Sequence, residues 1–309
     1  MTFSITIPSY KARFLHEAIQ SVTNQTYRDW ELIIVDDCSP EDLFSITKPF
    51  LVDKRIHYYR NKKNCGSKNV VENWNICLGY CTGDYVLCMG DDDRLRPNCL
   101  EEYIKLMEIY PHLNVYHART QIINENGDVI DSQETRPQYE TCAEMLFRQW
   151  AIPGKQFLGD FLFSRQWLNT NGGYIKFPYG LSSDRTTANL AAKEGGIANG
   201  QEITFEYRDS PITLSRSQNM RIAATSCNET VKWYIKHFEG ILPKEFHGYF
   251  VSKISDMIYL DVTQEPLTGF CYWLSHTRGL LITFPQVLKA CVRGIASSCK
   301  VNLKNAIHD

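Results

Sequence analysis

The sequence predicts an α/β fold, a mostly parallel sheet flanked by helices, followed by a helical C-terminal region. Over residues 1–110, short apolar runs rich in β-branched residues alternate with segments whose apolar residues recur at helical spacing. Between residues 111 and 216 the apolar runs are joined by turn signals typical of hairpins. Helical spacing prevails over residues 217–309, and we therefore predict a domain boundary between residues 216 and 217.

Four apolar runs in the first half are predicted strands, at residues 3–8, 31–35, 55–59 and 85–89. An amphipathic segment follows each run, and Pro97 with two glutamates in the next turn is typical of a helix start. Strands that alternate with helices pair in parallel, so these runs predict a parallel sheet with helices on its faces.

The segment from 111 to 216 predicts a mixed or antiparallel part of the sheet, because an Asn-Gly pair separates two apolar runs. A Gly-Gly pair then breaks the chain ahead of a polar-faced helix and a last strand. The predicted elements are a strand at 115–123, a turn at Asn126-Gly127, a strand at 129–130, a helix from Asp184 to Ala192 and a strand at 203–208.

Composition excludes several classes of protein. The chain has 309 residues and a net charge of -2, and this balance argues against nucleic acid as a partner. Its eleven cysteines lack the paired spacing of a zinc ribbon or a disulfide framework. Neither a leader peptide nor an apolar run of membrane-spanning length is evident. We therefore expect a cytoplasmic protein with reduced thiols.

The acidic cluster Gly90-Asp91-Asp92-Asp93 follows the fourth predicted strand directly. Adjacent carboxylates repel one another unless a cation neutralises them, and oxygen ligands suit Mg²⁺ or Mn²⁺ completed by substrate phosphates. The alternative is a solvated acidic loop that caps the next helix. Ligands of open α/β sheets collect at the carboxyl ends of strands, where Tyr10 and Asp37 are also predicted, and this favours a metal and diphosphate site.

Several motifs in order resemble family 2 glycosyltransferases of the GT-A (Rossmann-like) fold, over about residues 1–215. The matching segments are Ile7-Pro8-Ser9-Tyr10, Asn24-Gln25-Thr26-Tyr27 with Trp30-Glu31-Leu32, Val35-Asp36-Asp37-Cys38-Ser39, Gly66-Ser67-Lys68-Asn69, Gly83-Asp84-Tyr85, the aspartate cluster with Pro97, and Gly172-Gly173-Tyr174. The resemblance implies a nucleotide-binding half at 1–110 and an acceptor half at 111–216 of one catalytic domain. It also implies an inverting transferase that uses a nucleoside diphosphate sugar.

The resemblance assigns roles to residues at the strand ends. Pro8 and Tyr10 would bind the nucleotide, with Tyr10 stacked on the base, and Asp37 would accept from the base N–H. That contact implies a uracil-like edge, so UDP is the favoured donor nucleotide and GDP the second. Lys68 would offer positive charge to the diphosphate, and Asp91 would reach the ribose. The alternatives are a sheet-edge tyrosine, a helix-capping aspartate and a solvated lysine.

The resemblance also assigns the metal and the base. Asp92 would ligate Mn²⁺ or Mg²⁺ with support from Asp93, although Gly90 stands where many relatives have the first acid of the pair. Asp184 would be the catalytic base, and a helix cap is its alternative. Arg208 would contact the donor, or it is an ordinary arginine at a strand end.

The C-terminal segment 266–308 contains no acidic residue, and its basic residues alternate with apolar ones. Such a segment is typical of peripheral contact with the inner face of an anionic membrane, and equally of a packed helical subdomain. A saccharide, or a lipid-linked saccharide in cell-surface polysaccharide biosynthesis, is then the expected acceptor. A catalytically silent sugar-nucleotide-binding or scaffold protein is the alternative function. A sugar nucleotidyltransferase is disfavoured, because no basic glycine-rich loop lies near the start.

Overall fold

The computed structural model describes residues 1–151, 154–210, 220–242 and 245–308, with the side chains of 150, 151 and 299–308 left aside. The chain divides into two units, Met1–Thr213 and Leu214–Asp309. The boundary predicted between residues 216 and 217 lies outside the described residues.

The first unit contains one sheet of ten strands in its described part. In order along the sheet the strands run β3-β2-β1-β4-β9-β6-β10-β5, with β7 paired to β6 and β8 to β10. The strands are β1 (Phe3–Ser9), β2 (Trp30–Asp36), β3 (Ile56–Arg60), β4 (Tyr85–Cys88), β5 (Arg94–Leu95), β6 (Val115–Ile123), β7 (Val129–Ser132), β8 (Tyr139–Glu140), β9 (Phe161–Ser164) and β10 (Ile197–Arg208).

The predicted parallel half of the sheet is confirmed, because β3, β2, β1 and β4 pair in parallel in that order. The mixed half is confirmed as well. β9 runs antiparallel between β4 and β6, and β6 pairs in parallel with β10. Strand β9 was not predicted from the sequence. Strand β10 begins six residues before its predicted start, because register shifts near Asn199 and Ile203 interrupt the alternation of its side chains.

Helices cover the sheet in the first unit and make up most of the described part of the second. They are α1 (Leu15–Thr23), α2 (Leu43–Thr47), α3 (Val70–Tyr80), α4 (Cys99–Ile109), α5 (Cys142–Ala151), α6 (Arg165–Thr170), α7 (Ser183–Ala191), α8 (Met220–His237), α9 (Phe246–Gln264), α10 (Pro266–Ser275) and α11 (Phe284–His308). Pro97 was predicted in the first helical turn, but α4 begins after Asn98, and the Pro97 carbonyl instead accepts a hydrogen bond from the Thr26 amide at 2.9 Å.

Strand β1 is central and buried on both faces. Phe3, Ile5 and Ile7 are fully buried on one face, and Ser4 and Thr6 are buried on the other. A strand that is buried on both faces has a continuous apolar sequence instead of alternating apolar and polar residues. Burial of each large apolar side chain stabilises the fold by about 1.5–3 kcal/mol. This burial fixes the position of the residues that follow β1.

The second unit packs its helices around the apolar residues of α8, α9, α10 and α11, including Ile254, Ile258, Val262 and Trp273. Trp273 is 1% exposed, and its indole donates to Asp261. Trp273 therefore belongs to the core of this unit and not to an exposed surface. Of the helices described, none combines the length and apolar character needed to span a bilayer.

Candidate active site

The carboxyl ends of β2, β1 and β4 lie side by side. β1 pairs with β2 on one side and β4 on the other, with Ser9 opposite Asp36 and Thr6 opposite Cys88. Beyond the paired residues, the Asp37 amide donates to the Ser9 carbonyl at 2.8 Å. The loops after these three strands therefore meet at one edge of the sheet, as the sequence predicts for Tyr10, Asp37 and the aspartate cluster.

Asp91 ties the fourth strand to the first. Its Oδ2 accepts hydrogen bonds from the amides of Tyr10 and Lys11, both at 2.7 Å. Pro8 lies in β1 just before this turn, half-buried, whereas the Tyr10 ring is 44% exposed and open to a stacking partner. Asp91 is 8% exposed and thus positions the predicted nucleotide-binding turn. Its predicted ribose contact stays a prediction.

Asp92 and Asp93 occupy different surroundings. The buried Asp93 carboxylate accepts from the amides of Gly90, at 3.2 Å, and Arg208, at 3.0 Å. The Asp92 carboxylate is partly exposed and accepts no hydrogen bond from any other described residue. A Cβ on Gly90 would lie 2.7 Å from Oδ1 of Asp92 and 3.0 Å from Oδ2 of Asp93. Glycine at this position therefore lets both carboxylates close over the backbone.

The three aspartates carry more negative charge than the surrounding residues neutralise. Burial raises the pKa of Asp91, Asp92 and Asp93, and the neighbouring carboxylates raise the pKa of Asp92 and Asp93 further. The described residues hold no group of three or more His, Cys, Asp or Glu side chains arranged around a metal. A free carboxylate on Asp92 with a second acid beside it fits a divalent cation whose other ligands are water and substrate oxygens. A ligand role for Asp93 stays a prediction.

Asp37 is held by the loop that follows β3. Its carboxylate accepts from the Asn61 amide group at 2.8 Å and from the Cys65 backbone at 3.0 Å, and it is 8% exposed. The Asn64 side chain donates to the Asp37 carbonyl at 2.8 Å. Asp37 therefore does not cap the following helix; that cap is Asp42.

A cavity of about 630 Å³ opens beside this loop. Its lining includes four lysines, Lys62, Lys63, Lys68 and Lys176, and one acidic residue, Glu72, which pairs with Lys176. Lys68 lies in the short 3₁₀ turn before α3 and is exposed. The predicted phosphate-binding lysine therefore faces a basic cavity next to Asp37.

The sequence analysis missed Asn61, Asn64 and the lysines other than Lys68. A usable signal was present, because Asn61-Lys62-Lys63-Asn64 follows β3 directly and therefore falls at the same edge of the sheet. Lys176 carried no such signal, since it reaches the cavity only through the packing of a distant loop.

Asp184 starts α7 at the end of a constrained loop. Tyr179 and Ser182 have φ values of 61° and 66°, a conformation that costs non-glycine residues about 1–3 kcal/mol and often marks functional loops. The Ser183 hydroxyl accepts from the Phe177 amide at 3.0 Å, and Phe177 lines the basic cavity. The Asp184 carboxylate accepts from the adjacent Arg185 amide at 2.7 Å, and burial raises its pKa to about 6.

Arg208 lies beneath the aspartate cluster. It is 1% exposed, and its guanidinium donates to the Asp92 carbonyl at 2.8 Å and to Glu17 at 2.7 Å. The guanidinium also lies 4.1 Å from the ring centre of Phe14. Arg208 therefore supports the cluster from the protein interior, and its predicted contact with the donor stays a prediction.

A family model described as glycosyl transferase family 2 matches residues 4–168, more than half of the chain. The chain belongs to family 2 of the glycosyltransferases. The match covers β1 to β9, including the strand ends that carry Tyr10, Asp37 and the three aspartates, and the family predicted from the motifs is therefore confirmed.

Curated relatives of this glycosyltransferase carry related names. An uncharacterized glycosyltransferase of Haemophilus influenzae is 27% identical over 240 residues, covering 74% of this chain and 70% of the relative. The putative glycosyltransferase EpsE of Bacillus subtilis is 33% identical over 117 residues, 37% of this chain and 41% of EpsE. The putative teichuronic acid biosynthesis glycosyltransferase TuaG of B. subtilis is 33% identical over 106 residues, 34% of this chain and 41% of TuaG. The chain thus matches less than half the length of EpsE and TuaG.

Solved structures of the GT-A fold resemble this glycosyltransferase along its length. TarS 1-349 of S. aureus in complex with UDP-GlcNAc superposes with a TM-score of 0.59 at 14% identity, covering 100% of this chain and 93% of that structure. The mannosyltransferase PcManGT of Pyrobaculum calidifontis, in complex with GDP-Man and Mn²⁺, gives a TM-score of 0.56 at 14% identity, with 96% and 86% covered. The predicted GT-A fold with a helical C-terminal region is confirmed.

Proposed function

We propose that this glycosyltransferase moves a sugar from a UDP-sugar to a saccharide hydroxyl, with inversion at the anomeric carbon, during the assembly of a cell-surface polysaccharide. The names of TuaG and the UDP-GlcNAc complex of TarS support a surface saccharide and a uridine donor. The GDP-Man complex of PcManGT keeps a guanosine donor as the second candidate.

One observation carries the proposal. The loop that holds Asp37 borders a cavity lined by four lysines, and Asp91 binds the turn at Tyr10 on the neighbouring strand. A base-reading carboxylate, an exposed ring and concentrated positive charge at one sheet edge match the three parts of a nucleoside diphosphate. Pro8, Tyr10, Asp37, Lys68 and Asp91 are accordingly proposed as nucleotide-binding residues.

Asp92 and Asp93 would hold a divalent cation, Mn²⁺ or Mg²⁺. When bound, such a cation neutralises phosphate charge and so makes the nucleoside diphosphate a better leaving group. Arg208 keeps the peptide of Asp92 in place from below, and the Gly90 amide keeps Asp93 in place. Residues 1–110 would form the nucleotide-binding half and residues 111–216 the acceptor half.

Asp184 would act as the base. Its carboxylate takes the proton of the acceptor hydroxyl while the hydroxyl oxygen bonds to the anomeric carbon and the bond to the diphosphate oxygen breaks. Attack from the face opposite the diphosphate inverts the anomeric configuration, and no covalent enzyme intermediate forms. A pKa raised to about 6 suits a base that works near neutral pH.

A cytoplasmic position, peripheral at the inner face of the membrane, suits a lipid-linked saccharide acceptor. The exposed apolar residues of α11, Phe284, Leu288 and Val292, stand beside the exposed Lys289 and Arg293 and support this arrangement.

The proposal is tested by thermal unfolding with UDP and GDP, each with and without Mn²⁺ or Mg²⁺. A nucleotide at 100 times its dissociation constant stabilises the folded protein by about 2.7 kcal/mol, and we expect this only with UDP and metal together. Asp92→Asn should lose the stabilisation by UDP that depends on the metal. Asp256→Asn, at an exposed position of α9, should keep that stabilisation.

The same proteins are then assayed for transfer with UDP-sugars. Sugar release or transfer that requires Asp92 supports an enzyme. Metal-dependent UDP binding without any turnover would favour the alternative, a catalytically silent sugar-nucleotide-binding or scaffold protein. Failure of both UDP and GDP to shift the unfolding midpoint would refute the donor assignment.

A further inference from the structure

A second cavity, of about 200 Å³, shares no lining residue with the basic cavity beside Asp37, which is the proposed donor cavity. Residues 176–178, just before α7, line the donor cavity, whereas Arg185, directly after Asp184, lines the second one. The remaining lining comes from residues 131–136, 148, 149 and 154–156. The proposed base therefore lies in sequence between residues that line two different cavities, only one of which the proposed donor occupies.

The second cavity is rich in positive charge. Four cationic residues line it, Arg136, Arg148, Lys155 and Arg185, against two acidic ones, Asp131 and Glu134. Lys155 pairs with Asp131, and Arg148 pairs with the buried Glu140. Arg136 and Arg185 form no ion pair with any described residue. Burial lowers the pKa of Arg136, the carboxylates of Glu140 and Asp160 act in the opposite direction, and the charges of Arg148 and Arg185 lower it again.

Several polar atoms at this cavity are buried without a partner among the described residues. They are Nη1 of Arg136, Nε of Arg185, Nε2 of Gln149, and Nε2 and Oε1 of Gln156. The Gln149 Oε1 already accepts from Asn189 at 2.7 Å, which fixes the direction of its amide. Four of the five atoms are donors. Buried polar groups are nearly always satisfied, so a cluster of open donors indicates a ligand rich in acceptor atoms.

The volume decides what kind of ligand fits. One water takes about 30 Å³ of liquid, so a cavity of 200 Å³ has room for a group of several non-hydrogen atoms. Guanidinium groups recognise carboxylate and phosphate oxygens through paired N–H donors. A neutral sugar hydroxyl would accept from these donors but would add no negative charge opposite Arg136 and Arg185, which form no ion pair with the described residues.

We propose that this cavity is a subsite for an acidic group of the acceptor, a carboxylate or a phosphate, which Arg136 and Arg185 bind beside Asp184. The inference rests on the proposed function, because it places the acceptor in a cavity lined by the residue that follows the proposed base. It narrows the acceptor class to an anionic saccharide. Binding of the acidic group would orient the neighbouring hydroxyl toward the base and discriminate against neutral saccharides.

The test uses D-glucuronate and glycerol 1-phosphate as probes, with glucose as the neutral control, in thermal unfolding and calorimetric titrations at constant ionic strength. We expect at least one anionic probe to bind and glucose not to bind. Binding of glucuronate but not of glycerol 1-phosphate identifies a carboxylate site, and the reverse result identifies a phosphate site. Absence of binding by both anions would overturn the proposal.

Variants locate the binding. Arg136→Gln should weaken the anionic probe by about tenfold or more, since hydrogen bonds to charged groups are the stronger class. Lys68→Gln, in the donor cavity, and Arg28→Gln, at an exposed position, should leave the probe affinity unchanged. If Lys68→Gln loses binding of the anionic probe and Arg136→Gln retains it, the anion binds in the donor cavity and the proposal is overturned.

Gln156→Leu provides a second route if Arg136→Gln does not fold. Replacing an unsatisfied buried amide by an apolar side chain should leave the ligand-free unfolding midpoint equal or higher, while the probe affinity falls. An unchanged probe affinity in Gln156→Leu and in Arg185→Gln would contradict the site. Stabilisation by UDP is measured on the same proteins, so failure of the donor assignment is seen independently of failure of this subsite.

Discussion

The three adjacent aspartates at the carboxyl end of β4 differ in the hydrogen bonds that their carboxylates accept. Asp91 accepts two backbone hydrogen bonds from the Tyr10 turn, and Asp93 accepts two from Gly90 and Arg208. The Asp92 carboxylate accepts none from any other described residue. A carboxylate that already satisfies backbone donors holds the fold, whereas a free one is available to a ligand. Asp92 is therefore the residue whose replacement should affect metal binding most directly.

Asp184→Asn should lower kcat by about 10²–10⁴-fold, because it removes the proposed proton acceptor but keeps the shape of the side chain. Binding of UDP, measured by thermal unfolding, should not change. Glu194→Gln, at an exposed position after α7, should leave kcat unaltered. Equal activity of Asp184→Asn and the parent protein would remove Asp184 as the base.

The pH profile tests the same residue by a different property. The pKa of Asp184 is raised to about 6, so the ionised, proton-accepting form gains population as the pH rises through that value. The activity of the parent protein should accordingly increase from acid toward neutral pH with a midpoint near 6. The residual activity of Asp184→Asn should not show this rise with pH. If the rise persists in Asp184→Asn, it arises from the titration of another group.

Gly90→Ala should weaken metal-dependent nucleotide binding, because the added Cβ would lie 2.7 Å from Oδ1 of Asp92. Gly79→Ala in α3 is a matched control, since no atom lies within 4 Å of its Cβ position. In a helix that control should be neutral or more stable by up to about 1 kcal/mol. The two variants are compared by the shift that UDP and Mn²⁺ together produce in the unfolding midpoint; equal shifts would contradict a close approach at Gly90.

At the scale of elements, short loops after strands carry the candidate site, while long helices build the second unit. The loop after β1 is fixed by Asp91, the loop after β2 by Asn64 and Cys65, and the loop before α7 by Ser183. Each loop thus borrows its rigidity from a neighbouring element. Loops held in this way are already ordered, so little conformational entropy is lost when they bind a ligand.

Asp261 plays the corresponding part in the helices of the second unit. It is 5% exposed, and its Oδ2 accepts from the Trp273 indole at 2.9 Å and from Arg221 at 3.0 Å. Asp261→Ala should lower the free energy of unfolding of this unit by about 1–3 kcal/mol, because it leaves a buried indole N–H without a partner.

Glu265→Ala removes the exposed partner of the same Arg221 and should cost at most about 1 kcal/mol. Urea unfolding followed by tryptophan fluorescence measures both variants. A loss for Glu265→Ala as large as that for Asp261→Ala would show that the pairing with Arg221, rather than the buried indole, is responsible.

At the scale of the whole molecule, a family 2 catalytic domain is joined in sequence to a helical unit with an exposed apolar row on α11. Phe284, Leu288 and Val292 recur every four residues and are 53%, 37% and 54% exposed. Spacing of four places them on one face of the helix, next to the exposed Lys289 and Arg293. Such a surface is typical of a helix that lies at the interface of an anionic membrane, and we propose this contact for α11.

The full chain should sediment with vesicles that contain anionic lipid, and the bound fraction should fall as salt is raised. Leu288→Asp with Val292→Asp should reduce the bound fraction several-fold, since both apolar contacts and charge attraction are weakened. Val52→Asp changes an apolar residue of the first unit that is 87% exposed and serves as the control. Equal binding of all proteins would leave α11 as a packed subdomain with no membrane role.

The sequence by itself determined the parallel half of the sheet, the position of the aspartate cluster and the family. These depend on local information, because periodicity sets each strand and the residue after a parallel strand must fall at the carboxyl edge of the sheet. The motifs around Asp37 and the aspartates lie in short contiguous segments that can be read without knowing the rest of the fold.

Only the tertiary structure decided which of the predicted residues are free to act. Arg208 bonds to Asp93 and Asp92 across 115 and 116 residues of sequence, and this contact makes it a buried support rather than a surface group. The insertion of β9 between β4 and β6, the lysine from residue 176 in the donor cavity, and the second cavity beside Asp184 arise likewise from distant segments. Local patterns carry no record of such pairings, because burial and partners are settled only when the whole chain packs.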